Sequence, residues 1–269
     1  MLKKGRLAMA KVGIIGGSGL DDKLNLTQVK LIKQHTPYGA ISDLVITGKL
    51  QGMDIIALPR HGANHRIMPS LVNYRANIWA LKEMGVTHVI ATTACGSLRE
   101  EIQPGQLVFV DQFIDRTTRR IQTFYEGVNV CHIPMAEPFC PRLRKLFTAV
   151  ATELKIPHHD QGTVVTIEGP RFSTKAESRI FQAWGGDVIN ISTVPEVVLA
   201  REAGLCYAAM AMSTDYDCWH ESKEAVSINM IMKTMATNAA NVNRMLPEII
   251  RKVTDAPCAC REDYKTALL

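Results

Sequence analysis

Lys11-Val-Gly-Ile-Ile15 runs straight into Gly16-Gly-Ser-Gly19. A short apolar run closed by a glycine-rich turn reads as a buried strand that ends beside a ligand. The same grammar repeats along the chain. Leu44-Val-Ile-Thr47 and Asp54-Ile-Ile-Ala-Leu58 read as a hairpin. Leu71, Tyr74, Ile78 and Leu81 recur at helical spacing, and Gly85 can close that helix. His88-Val-Ile-Ala-Thr92 is the next strand. Helix signals over 142–154, 174–184 and 195–203 then alternate with strand signals over 162–167, 187–191 and 206–212. A long terminal helix is expected from about Ile228 to Lys252. Such alternation predicts an α/β fold, and the hairpin makes its sheet mixed.

In α/β sheets ligands collect where strands end at their carboxyl edge. Those ends read Gly16–Gly19, Pro59-Arg-His-Gly62, Thr92-Thr-Ala-Cys-Gly96, Glu168-Gly-Pro-Arg-Phe172, Asn190-Ile-Ser-Thr193 and Ser213-Thr-Asp-Tyr-Asp217. Alone, each passes for a tight turn. Six together predict one shared pocket. Gly16–Gly19 suits a phosphate but is neither a dinucleotide fingerprint, since Asp22 stands where the third glycine belongs, nor a Walker loop. Arg60 and His61 offer donors to an oxyanion, and Thr93, Ala94 and Ser192 add hydroxyl and backbone groups. Asp215 and Asp217 stand two apart at a strand end, where extended chain would aim both the same way. Two adjacent carboxylates repel, so one tends to keep a proton. A protonated Asp can then donate to a ring nitrogen while an ionised one accepts from an exocyclic amine.

Composition narrows the class. The chain has 269 residues, 46% hydrophobic and 21% charged, with net charge +5. That supplies a core for one domain, and no linker or repeat divides it. The basic residues are scattered, and the tightest group, Arg116 to Arg120, reads as a solvated loop, so no nucleic acid is expected. No membrane span or signal peptide is evident, which places the expected compartment in the cytoplasm. Residues 1–10 read as a disordered extension and 253–269 as a tail. Most of the seven cysteines fall in apolar runs and read as buried free thiols. Cys258-Ala-Cys260 lies in the polar tail without metal partners nearby in sequence. It reads as a strained disulfide or, preferably, a pair of incidental thiols. His158-His-Asp160 reads as a surface loop, and no metal or cofactor is expected.

The chain resembles the trimeric purine nucleoside phosphorylase family, specifically the members that act on 5′-methylthioadenosine. The resemblance runs from Val12 to about Met232. It is carried by Pro59–Asn64, Met68–Asn77, Thr92–Leu98, His132–Phe139, Thr166–Ser178 and Val194–Trp219. It implies a single α/β domain over 1–269 with a mixed, partly barrel-like sheet flanked by helices, assembled as a homotrimer. It implies phosphorolysis of 5′-methylthioadenosine to adenine and 5-methylthioribose 1-phosphate, a step of purine and methionine salvage, with phosphate as co-substrate. Two alternatives are a broader purine nucleoside phosphorylase, also acting on adenosine or 6-oxopurine nucleosides, and a non-catalytic nucleoside-binding protein. By position, Ser18, Arg60, His61, Thr93, Ala94 and Ser192 resemble phosphate contacts. Phe172 resembles the ring packed on the purine, and Ile191 a sugar contact. Asp215, Tyr216 and Asp217 resemble base contacts, with Asp215 assisting catalysis at N7. His132 resembles a residue reaching a neighbouring subunit's 5′-pocket. Ile228, Ile231 and Met232 resemble its apolar wall, and Ser173 and Ile228 set specificity. Family members commonly carry Met-Thr where this chain has Ile191-Ser192. Some thermophilic members carry disulfides near the Cys258-Ala-Cys260 tail.

Overall fold

A computed structural model of the chain describes residues 10–17, 24–127, 129–221 and 228–269, without the side chains of 228–231. Thirteen strands form among these residues: β1 (Val12–Gly16), β2 (Thr27–Ile32), β3 (His35–Thr36), β4 (Gly39–Ala40), β5 (Val45–Leu50), β6 (Met53–Pro59), β7 (His88–Ser97), β8 (Leu107–Phe109), β9 (Gln112–Arg116), β10 (His158–His159), β11 (Thr163–Ile167), β12 (Val188–Asn190) and β13 (Cys206–Asp215). Five α-helices accompany them: α1 (Tyr74–Glu83), α2 (Pro141–Glu153), α3 (Lys175–Ala183), α4 (Thr193–Glu202) and α5 (Ile228–Lys252).

Strands β6, β1, β7 and β13 are neighbours and mutually parallel, so their carboxyl ends share one edge. Antiparallel β5 and β2 extend one side, and β8 with β10 the other. β12 pairs antiparallel with the far end of β7 at Gly96 and Ser97, and leads on to β11 and β9. The sheet therefore folds back over the carboxyl edge, which gives it its partly closed, barrel-like form.

Period-two alternation divides the core between the two faces. On β13, Tyr207, Ala209 and Ala211 belong to one buried cluster, with Val194, Val197 and Ala200 of α4. Cys206, Ala208 and Met210 belong to the other, with Phe147 of α2 and Val242 and Met245 of α5. Both faces are thus covered, which is why these strands read as unbroken apolar runs.

Several expectations change. β7 continues past Thr92 to Ser97, because Thr92 to Gly96 still pair with β13. His158 and His159 are not a loop but the short strand β10, half-buried and paired with β8. Arg120 is not solvated: its side chain is 1% exposed. Its guanidinium donates to the carbonyls of Ile191 (2.6 Å), Val194 (2.6 Å) and Glu168 (2.7 Å) and lies against the Tyr74 ring. Residues 253–269 are not a loose polar tail. Leu268 bridges to Cys131, and Asp263 pairs with the nearly buried Arg201 at 2.6 Å. Cys258 and Cys260 are buried and unbridged, because the tail folds back onto the core. Ser18 and residues 1–9 lie outside the described residues.

Candidate active site

A cavity of about 910 Å³ opens at the carboxyl edge. Every one of the six strand ends contributes to it: Gly17, Arg60 with His61, Thr92 to Gly96, Phe172 with Ser173, Asn190 to Ser192, and Thr214 with Asp215 and Asp217. The volume suits a nucleoside with an anion beside it.

The candidate anion side is rigidly built. Arg60 is 2% exposed, and its Nε and Nη2 donate to Glu196 at 2.7 and 2.8 Å, while Nη1 donates to the Thr92 carbonyl at 2.9 Å. Burial alone would lower the Arg60 guanidinium; the Glu196 carboxylate more than reverses this and raises it. Of five N–H groups, three are engaged and two remain for a ligand. Tyr207 of β13 donates to the same Glu196 at 2.8 Å. Next to Thr92, Thr166 donates to Asn190 (2.9 Å), Asn190 donates to Thr93 (3.1 Å), and Thr93 and Ser192 share a hydrogen bond of 3.0 Å. This chain fixes both hydroxyls.

His61 differs from its expected role as a donor. Its Nδ1 lies 3.0 Å from the Ile67 carbonyl, which can only accept, so Nδ1 carries the proton. Burial and the neighbouring Arg60 push the imidazole down to about 3. The ring is therefore neutral near pH 7, and Nε2 is an acceptor.

The candidate base side holds the carboxylate pair. Asp215 Oδ1 accepts the Asp217 N–H at 2.8 Å, and Oδ2 accepts the Thr214 hydroxyl at 2.7 Å. The pair does not converge by strand alternation. β13 stops at Asp215, and Asp217 sits in a left-handed turn at φ 50°. Gly96 makes room for both: a Cβ there would lie 3.1 Å from Asp215 Oδ1 and 3.2 Å from the Asp217 Cβ. Burial, with the neighbouring Asp215 charge, raises the Asp217 carboxyl. The bias towards a held proton thus falls on Asp217, whereas the donating role was expected of Asp215.

Phe172 is 71% exposed at the mouth. Its loop is pinned by Arg171, whose guanidinium donates to both Glu177 oxygens at 2.7 and 2.6 Å, and by Thr174 and Glu177, which form a capping box on α3. The Ser173 hydroxyl lines the cavity, buried and without a hydrogen-bond partner among the described residues. Ile191 also lines it, and Met232 and Met235 of α5 close the apolar side. Ile228 and Ile231 belong to α5, but their side chains lie outside the described residues. Tyr216 does not line the cavity; its hydroxyl donates to the Glu100 carbonyl and its ring stacks on His220 at 4.5 Å. His132 is exposed and apart from the cavity, its N–H bonded to the Ala267 carbonyl.

Glu196, Asn190, Thr166, Arg120 and Met235 escaped the site reading. Glu196, Thr166 and Arg120 act on other side chains or main chain behind the wall, and nothing in their local sequence marks that, whereas Asn190 lines the cavity beside Ile191 and Ser192. Met235 was findable, one turn beyond Met232 on the same helix.

The model of the phosphorylase superfamily matches residues 11–251. The chain belongs to the phosphorylase superfamily. Within that superfamily, S-methyl-5'-thioadenosine phosphorylase of Danio rerio is 56% identical over 263 residues, covering 96% of this chain and 92% of its own. The enzyme of that name from Xenopus tropicalis is 56% identical over 250 residues, covering 90% and 89%. Methylthioadenosine phosphorylase from Schistosoma mansoni, solved with adenine, superposes with a TM-score of 0.89 at 42% identity, covering 96% of this chain and 97% of its own. A point mutant of adenosine/methylthioadenosine phosphorylase from the same organism, solved with methylthioadenosine, gives 0.88 at 40% identity, covering 96% and 98%. Among the described residues of this superfamily member, no helix is long and apolar enough to cross a membrane.

Proposed function

We propose that the chain cleaves 5′-methylthioadenosine with inorganic phosphate, giving adenine and 5-methylthioribose 1-phosphate. One observation carries the reading: a single cavity is lined by Arg60, His61, Thr93 and Ser192, by the Asp215–Asp217 pair, and by Ile191. The relatives named above favour the same substrate.

Phosphate sits on the two remaining Arg60 N–H groups and the Thr93 and Ser192 hydroxyls, with Ala94, Gly17 and Ser18 completing its bed. In its monohydrogen form its P–OH donates to His61 Nε2. The C1′–N9 bond breaks with its electrons moving to the purine, and a phosphate oxygen bonds to C1′. Adenine gains one proton and phosphate loses one, so the sum balances. Holding both reactants in place contributes up to roughly 7–11 kcal/mol in well-aligned cases. The pair holds one proton between two coupled sites: it rests on Asp217 in the free pocket and passes to Asp215 when the purine binds, so that Asp215 delivers it at N7 and ionised Asp217 accepts from the adenine amine. Phe172 packs on the base, Ser173 donates to its edge, and Met232, with Ile228 and Ile231, receives the methylthio group. The reading needs no metal or cofactor. It includes a homotrimer, in which His132 serves a neighbouring subunit's pocket and Tyr216 supports the base loop from outside, and a cytoplasmic location.

The deciding assay is adenine release from 5′-methylthioadenosine with and without phosphate. Release that is independent of phosphate would make the protein a hydrolase, and no release would make it a binding protein. The Schistosoma mansoni enzyme named for both nucleosides makes adenosine the competitor to measure. Asp215→Asn is expected to shift preference towards inosine; a wild type that already prefers inosine sinks the adenine assignment.

A further inference from the structure

At the amino-terminal edge of the sheet, far from the cavity, Cys140, Cys206, Cys258 and Cys260 bring their sulfurs together, all within 4.8 Å of one another. The Cys140 and Cys258 sulfurs are 3.8 Å apart. Exposures are 1%, 0%, 9% and 3% in that order, and none of the four is in a disulfide. They come from three separate places: the N-cap of α2, the first residue of β13, and two tail positions one residue apart.

We propose that these four thiolates bind one zinc ion and so clamp residues 253–269 to the sheet. Four sulfurs at about 2.3 Å from a tetrahedral zinc lie about 3.8 Å from one another, the separation already present at Cys140 and Cys258. The donor set is soft and contains no oxygen, which selects zinc over magnesium or calcium. Binding releases four protons and moves no electrons: four thiols and Zn²⁺ give a zinc tetrathiolate of charge −2. That charge meets the positive end of the 13-residue α2, whose N-cap is Cys140. It also meets Arg142 in the first turn, which donates to the Ala256 and Pro257 carbonyls at 2.7 and 3.1 Å and so ties the tail to the same corner.

The test uses the full chain, expressed with added zinc and purified under a thiol-free reductant without chelator. Elemental analysis is expected to find about one zinc per chain. Exchange into Co²⁺ should give the sulfur-to-cobalt charge-transfer band and visible absorption of a tetrahedral tetrathiolate, saturating at one equivalent. Cys206→Ser and Cys260→Ser should retain less than a tenth of the metal, and Cys131→Ser, outside the cluster, all of it. Chelation is expected to lower the Tm by about 5 °C or more with kcat unchanged. Where a Cys variant fails to fold, the wild-type cobalt titration decides. A fully reduced wild type that takes up neither zinc nor cobalt overturns the proposal. So does metal that survives in both cluster variants, or a disulfide joining any two of the four in protein kept reduced.

Discussion

At its carboxyl end β13 offers Thr214 and Asp215 to the cavity; at its amino end, about 30 Å away for ten residues, Cys206 sits among three other buried thiols. One end is polar and open, held by side chains that come from six strand ends. The other is closed and soft, held by helix α2 and the tail. The strand is the same, and its middle alternates the same small apolar residues towards both faces. Topology makes the difference. Parallel neighbours bring the carboxyl ends together where their following loops can converge on a ligand. The amino ends receive the chain from helices and tail, and there packing is settled. The pocket end should therefore set rate and affinity, and the thiol end stability.

Glu196→Ala is the largest expected departure from that division. Glu196 is fully buried and pairs with Arg60, so its loss strands a buried guanidinium. The cost is about 3–5 kcal/mol of stability, a fall in Tm of roughly 10 °C, together with a raised KM for phosphate. Calorimetry and phosphate titration measure the two effects. An unchanged Tm would mean that Arg60 finds another partner, and the pocket end would then be free of any structural duty.

Asp215→Ala comes next and tests the functional side alone. It should lower kcat roughly 10²–10³-fold, as loss of a group aimed at developing charge does, and leave Tm near the wild-type value. A raised KM with kcat intact would reassign Asp215 to ground-state binding.

The pH dependence of stability is a smaller effect. His61 is held at about 3, below its ordinary 6.5, so the unfolded chain binds its proton first as pH falls. The contribution is complete above pH 6.5 and drains away as pH falls towards 3, at up to about 1.4 kcal/mol per unit. Urea denaturation of wild type and His61→Asn between pH 7 and 5 should show the steeper loss in the wild type. Parallel slopes would mean that the ring titrates normally.

These tests rest on residues of unequal legibility. Most strand ends were readable because apolar runs stop abruptly at glycine, Arg-His and Asp-Tyr-Asp, whereas Thr92-Thr93 lies inside β7, which pairs on to Ser97. The helices were readable from apolar spacing, and α2, α3 and α5 lie where that spacing puts them. β2 and β8 were not. β2 is an exposed edge strand interrupted by Gln28 at φ 53°, and β8 is three residues long. Arg120 looked solvated because its neighbours in sequence are basic, whereas its partners are carbonyls from 47 to 74 positions away. The cysteine corner was illegible for the same reason: Cys258 and Cys260 meet Cys140, which for Cys258 is 118 positions away. Local pattern reports periodicity and turn chemistry. It does not report which distant side chain satisfies a buried group.

Ile191→Met gives the smallest expected effect and sharpens the comparison most finely. Ile191 lines the cavity, yet a Cβ on Gly169 would come within 2.6 Å of its Cγ2. Gly169, at φ 67°, is thus open both for its turn and for this branched side chain. Methionine has similar volume and no branch at Cβ, so the pocket wall loosens and stability changes by less than about 1.5 kcal/mol. KM for 5′-methylthioadenosine should move by less than about tenfold, because a volume-conserving change of shape falls at the low end of the roughly 1–3 kcal/mol that a whole methylene is worth at an apolar contact. If Ile191 contacts the shared sugar, as proposed, adenosine and 5′-methylthioadenosine should shift together. A change in their ratio would place Ile191 against the 5′-substituent and extend the apolar wall of Met232 and Met235 across the pocket.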